Sequence, residues 1–125
     1  MVEWKDNQIY DELRDIAPVA AVEKGDVAVR QDVAGFWITD LAAGVKGGFI
    51  YRCRQVRVPK RTGTGENFLA GDRVYFYPAE ELASPAAVGT AGTDYYFVGW
   101  AKDDAPASAS TVTVNWNGTR CDQDF

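Results

Sequence analysis

The chain has 125 residues, with 13 Lys and Arg against 18 Asp and Glu, a formal charge of −5 and no histidine. That length suits one domain whose core needs neither a metal nor a disulfide. The acidic balance excludes nucleic acid and anionic membrane as partners of the whole molecule, and the missing histidine removes the commonest proton-transfer group near neutral pH and the commonest metal ligand.

Residues 1–15 are polar, with Trp4, Ile9, Tyr10 and Leu13 as isolated apolar positions. Ile9, Tyr10 and Leu13 could share a helical face, but so short a segment is marginal alone in water. It reads as an N-terminal arm that orders against a neighbour with Trp4 and Tyr10 as anchors; the bland alternative is a frayed terminus. The start Met1-Val2-Glu3-Trp4-Lys5-Asp6 has no signal-peptide pattern, which predicts synthesis in a reducing cytoplasm. A Cys53–Cys121 disulfide is therefore allowed but not required, and Asn117-Gly118-Thr119 reads as a turn rather than a glycosylation site.

After Pro18 the pattern is one of short strands and turns. Val19–Val22 is an apolar run and Glu23-Lys24-Gly25-Asp26 a turn. Val27–Val29 and Val33–Ile38 are strand candidates, and residues 42–48 form a connection. Phe49–Val58 is the longest candidate, ended by Pro59. Its alternation fails, because Ile50, Val56 and Val58 share a parity with Arg52 and Arg54; a bulge near Gln55 or an interfacial face would explain that. Lys60–Asn67 is loop-like in composition. Phe68-Leu69-Ala70 leads through Gly71-Asp72 into the strand Arg73–Tyr77, stopped by Pro78. Residues 79–93 read as a long connection or weak hairpin with Leu82 and Val88 inside. Asp94–Ala101 and Thr111–Trp116 are the last strands, separated by a loop from Lys102 to Ser110. About seven short strands with no convincing helix beyond residue 15 predict an all-β fold, a small antiparallel sandwich or barrel with an extended N-terminal arm. The expected limits are an arm at 1–15, the domain at 16–118 and a polar tail at 119–125. No apolar run approaches the roughly 18 residues of a membrane span.

Catalytic patterns are weak. The doublets Glu80-Glu81 and Asp103-Asp104 place neighbouring side chains on opposite sides of an extended chain. Lys60 precedes the glycines of Lys60–Gly65 and no helix follows, so this is not a phosphate-binding Walker loop. Ser84, Ser108 and Ser110 have no histidine to act as their base. The expectation is a protein that is not an enzyme and has no cofactor or metal. Two features point to binding instead. Arg52, Arg54, Arg57, Lys60 and Arg61 gather 5 of the 13 basic residues and could pair with carboxylates on a partner protein. Of the aromatic residues Trp37, Tyr75, Tyr77, Tyr95, Tyr96, Trp100 and Trp116, most should be core, but alternation puts Tyr75 and Tyr77 on the face opposite Val74 and Phe76, which would let one tyrosine pair face outward.

Several segments in order carry a likeness to a known family. They are Pro18-Val19, Gly25-Asp26-Val27, Val33-Ala34-Gly35-Phe36 and Ala42-Ala43-Gly44, then Val56-Arg57-Val58-Pro59-Lys60 and Phe68-Leu69-Ala70-Gly71-Asp72-Arg73-Val74-Tyr75, and finally Val98-Gly99-Trp100-Ala101 and Val112-Thr113-Val114-Asn115-Trp116. Over about residues 16–118 the chain resembles the phage capsid cement, or head decoration, proteins, whose members sometimes carry a recombinase label. The resemblance implies a small β-rich (β-tulip-like) virion protein, made in the host cytoplasm. Such a protein sits on the outer capsid surface, contacts the major capsid protein and stabilises the contacts between its subunits, commonly as a homo-oligomer, with a trimer favoured. The recombinase label finds no support, because the nucleotide-binding loop is absent. The competing reading is a carbohydrate- or receptor-binding β-module that uses Trp37, Trp100 or Trp116 as a stacking platform.

Overall fold

The computed structural model describes residues 1–4, 10–30 and 33–119. Among them it is all-β and has no helix. The nine strands are β1 (Glu3–Trp4), β2 (Tyr10–Ile16), β3 (Val27–Arg30), β4 (Val33–Trp37), β5 (Gly47–Pro59), β6 (Arg73–Tyr77), β7 (Leu82–Ser84), β8 (Tyr96–Ala101) and β9 (Thr111–Asn117). They form one antiparallel sheet of order β3-β4-β5-β9-β8-β6-β7, with β1 and β2 added along β5. The sheet curls into a half-barrel, as expected of a small antiparallel barrel, and at its end Arg61 N donates to Ala83 O at 2.9 Å, bringing β7 against the end of β5.

β5 is the organising strand. Phe49 and Ile50 pair with β4 and also with β2, while Cys53 pairs with Trp116 of β9 and with Tyr10 of β2. β4 and β9 therefore share one edge of β5, and β1 and β2 occupy the other. Gly118 joins the two elements on the shared edge: its N–H donates to Tyr51 O and its carbonyl accepts from Ala34 N, both at 2.9 Å. A Cβ at Gly118 would stand 1.7 Å from Ala34 O, so only glycine allows the approach.

The described part of the first fifteen residues, 1–4 and 10–15, behaves differently from a helix-prone arm. Val2 is buried, Trp4 tilts over Phe36 with ring centroids 4.8 Å apart, and residues 10–16 run as a strand. An open edge of β5 satisfies the backbone groups that a short isolated helix would leave marginal. The pairing of β2 with β5 is interrupted by two register shifts, and Asp15 has φ 57°, irregularities of a kind that discourage further strand addition to β2.

The core inside the curl holds Phe36, Ile50, Val56, Val58, Val74, Phe76, Val98, Val114 and Trp116. The Trp116 indole N–H is satisfied by Ala34 O at 3.2 Å. A second apolar layer lies on the other face of β6 and β8, where Tyr75, Tyr77, Tyr95 and Phe97 pack together. Alternation does separate Tyr75 and Tyr77 from Val74 and Phe76, but the tyrosines are buried, not outward. The connection after β7 covers them: Tyr77 Oη donates to Ala86 O and accepts from Val88 N at 2.9 Å. Leu82 is half-buried, whereas Val88, expected inside, is exposed; its backbone rather than its side chain makes the anchor.

Candidate functional site

The outer face of β5, β9 and β8 gathers most of the charged and aromatic candidates, and two irregularities shape it. Between Pro59↔Thr111 and Val56↔Val114 the β5–β9 register is constant, but it resumes one step out at Cys53↔Trp116. Arg54 and Gln55 thus face the single residue Asn115, which is a β-bulge. The bulge resolves the broken alternation of the sequence: Cys53, Val56 and Val58 all point into the core, while Arg52, Arg54 and Arg57 all face solvent despite their mixed parity.

The second irregularity is in β8, where Val74↔Gly99 and Tyr75↔Phe97 leave Val98 as the extra residue. Gly99 has φ +139°, and a Cβ there would lie 2.0 Å from Asn115 O. The next residue, Trp100, projects outward from this bulge, 41% exposed, with its ring edge-on to Phe97 at 5.1 Å and 81°. Trp37 and Trp116, the other tryptophans proposed as platforms, are buried. Trp100 pairs with Asn115, and Asn117 pairs with Arg52, which pairs in turn with Asp11 of β2. Between these rows lies an open groove of about 260 Å³, lined by Trp100, Asn115, Asn117, Arg52, Arg54 and Asp11 among others.

The arginines on this face are not equivalent. Arg52 is 3.6 Å from Asp11 and Arg57 is 2.6 Å from Glu3. Arg54 has no ion pair among the described residues. Lys60 and Arg61 lie elsewhere. Lys60 is only 3% exposed, and its ammonium donates to the carbonyls of Arg61, Pro106, Ala107 and Ala109 at 2.7–3.4 Å, pinning the 102–110 loop to the end of β5. Burial pushes its pKa below the ordinary lysine value, with the Glu66 carboxylate opposing that shift. Arg61 pairs with Glu80 and lies 3.9 Å over the Tyr77 ring. Its hydrogen bond to Glu80 is the main cause of its raised pKa.

Of the arm residues, Trp4 and Tyr10 pack on the chain's own core, Leu13 is half-buried opposite Phe49, and Ile9 lies outside the described residues. Cys121 lies outside them too, so the Cys53–Cys121 pairing has no counterpart here; Cys53 itself is buried, and burial raises its thiol pKa. Of the carboxylates and serines weighed for catalysis, three have structural partners: Glu80 pairs with Arg61, Asp104 accepts from Ala70 N at 2.7 Å, and buried Ser84 donates to Glu66 at 2.7 Å. Among the described residues no three His, Cys, Asp or Glu side chains cluster as a metal site would require.

A different surface was not singled out from the sequence. The segments 18–22 and 41–45 are joined by Val22–Leu41 backbone hydrogen bonds and by Gly44 N to Pro18 O at 2.9 Å. Together they expose Val19, Ala20, Ala21, Ala42, Ala43 and Val45, with Val19 93% exposed. No charged residue occurs in either segment. The two segments were legible as an apolar run and a connection, but their meeting at one end of the molecule was not.

Compared with protein-family models, curated proteins and solved structures, the chain matches none.

Proposed function

We propose that this protein is a structural virion component that binds the outer surface of a tailed-phage capsid and holds major capsid protein subunits together. The observation that carries the reading is the exposed apolar surface of segments 18–22 and 41–45, neither of which contains a charged residue, taken with the ordered likeness of residues 16–118 to capsid cement proteins. Contiguous exposed apolar surface marks a docking site, and the centre of a protein interface is depleted of charge. A ligand bound across a subunit junction adds its binding energy to the intact shell alone, and repetition over a symmetric shell multiplies that effect. A specific seat buries more than about 1,000 Å² in total, so the loops would form the centre of a wider contact. The arginines of β5 lie roughly 17 to 33 Å along the strand from Gly47, at about 3.3 Å per residue, and would border or lie outside that contact.

The test is co-sedimentation with expanded heads of its phage. Wild-type protein should pellet with heads, and Val19→Asp with Val45→Asp should stay in the supernatant while keeping its β-sheet circular dichroism. Wild-type protein that never pellets with heads, or a double variant that pellets as well as wild type, overturns the reading.

A further inference from the structure

We infer that the groove beside Trp100 is a binding site for an acidic saccharide, with a sugar ring on the indole and its carboxylate on Arg54. The indole face is electron-rich and attracts the weakly positive C–H face of a pyranose, while its rim excludes water. Trp100 suits this because it is presented by the Gly99 bulge and braced edge-on by Phe97, so little side-chain freedom is lost on binding. Asn115 stands directly beside it and Asn117 in the next row, supplying amide donors and acceptors of the kind that sugar hydroxyls take up.

The choice of an acidic sugar comes from Arg54. The β5 bulge places Arg54 and Gln55 opposite Asn115, which puts Arg54 two strands away from Trp100, roughly 10 Å at ordinary strand spacing. A sugar ring bearing a carboxylate, met by an extended guanidinium, spans that gap. In a chain of net charge −5, Arg52 and Arg57 are already matched by Asp11 and Glu3, and Arg54 has no carboxylate partner among the described residues. A planar guanidinium is the side chain best fitted to hold a carboxylate. The groove volume of about 260 Å³ lies just below the roughly 300–1,000 Å³ of sites that enclose a whole drug-sized ligand, which fits a short stretch of a longer polysaccharide lying across the surface. This inference does not rest on capsid attachment and is tested on the isolated protein.

The probe is tetragalacturonate, titrated calorimetrically against the full chain, with the carboxyl-reduced neutral tetrasaccharide and inorganic polyphosphate as comparisons. Tetragalacturonate should bind, the neutral sugar at least tenfold more weakly, and Trp100→Ala should weaken binding at least tenfold. Asn115→Asp sets a carboxylate beside Arg54, so it should weaken the acidic sugar more than the neutral one. Raising salt from about 50 to about 500 mM should weaken wild type but hardly affect Arg54→Ala. Failure of tetragalacturonate to bind, or full binding by Trp100→Ala, overturns the site. Equal affinity for the neutral sugar overturns the role of Arg54, and tighter binding of polyphosphate, unaffected by Trp100→Ala, reduces the face to a plain cation patch.

Discussion

Arg57 Nη2 lies 2.6 Å from Glu3 Oε2, and the two residues are direct cross-strand partners, so the first strand is fastened near the C-terminal end of β5. Beside this pair Val2 is buried and Trp4 covers Phe36. The N-terminal segment is thus a covering element of the sheet.

Removal of residues 1–15 should therefore cost stability. Burial of Val2 and partial burial of Trp4 and Tyr10, at about 1.5–3 kcal/mol for each fully buried large side chain, imply a loss of about 3 kcal/mol or more. Urea unfolding checks this. Glu3→Gln, which removes only an exposed ion pair, should cost no more than about 1 kcal/mol. A truncated protein as stable as the full chain would show that β1 and β2 contribute nothing.

Lys60→Met should destabilise the fold by about 2–3 kcal/mol, because it strips a charged donor from four carbonyls at the loop junction. The pH dependence has a definite sign. Burial lowers the folded pKa of Lys60, so between that value and the unfolded value near 10.4 the unfolded chain holds the proton more tightly. Stability of the wild type relative to Lys60→Met should then rise with pH across that window and be flat below it. Urea midpoints of both proteins from about pH 7 to about pH 10 measure the difference.

Gly99→Ala should lose about 3 kcal/mol, combining left-handed backbone strain with the clash against Asn115 O. Because the bulge aims Trp100, the same change should shift tryptophan emission and weaken any ligand of the groove. An unchanged melting temperature would mean that the bulge is not needed.

Cys53 should react slowly with a disulfide reagent in the native state, since burial raises its thiol pKa and limits access. In a Cys121→Ser background, labelling at about pH 8 should be slow in buffer and fast in denaturant. Prompt native labelling would contradict the packing of Cys53 between β5 and β9.

Most strands were readable because their signals are local. Clean alternation marked Thr111–Trp116, Gly71-Asp72 and Pro78 bounded Arg73–Tyr77, and the parity break in Phe49–Val58 pointed to the bulge found at Arg54 and Gln55. Of the five basic residues grouped from the sequence, Arg52, Arg54 and Arg57 share the solvent face of one strand, whereas Lys60 and Arg61 do not join them.

Partner choice across space was not readable. Neither the burial of Lys60 by a loop more than forty residues away nor the cover over Tyr75 and Tyr77 leaves a trace in local pattern. The same holds for which of Trp37, Trp100 and Trp116 meets solvent. Composition and period determine that this chain makes strands and where they turn, because backbone sterics and side-chain alternation act over a few residues. Which edges of β5 are filled, which of Arg52, Arg54 and Arg57 has no carboxylate partner among the described residues and which apolar loops meet at the surface follow only from the curled sheet, because burial and ion pairing depend on distances between strands remote in sequence.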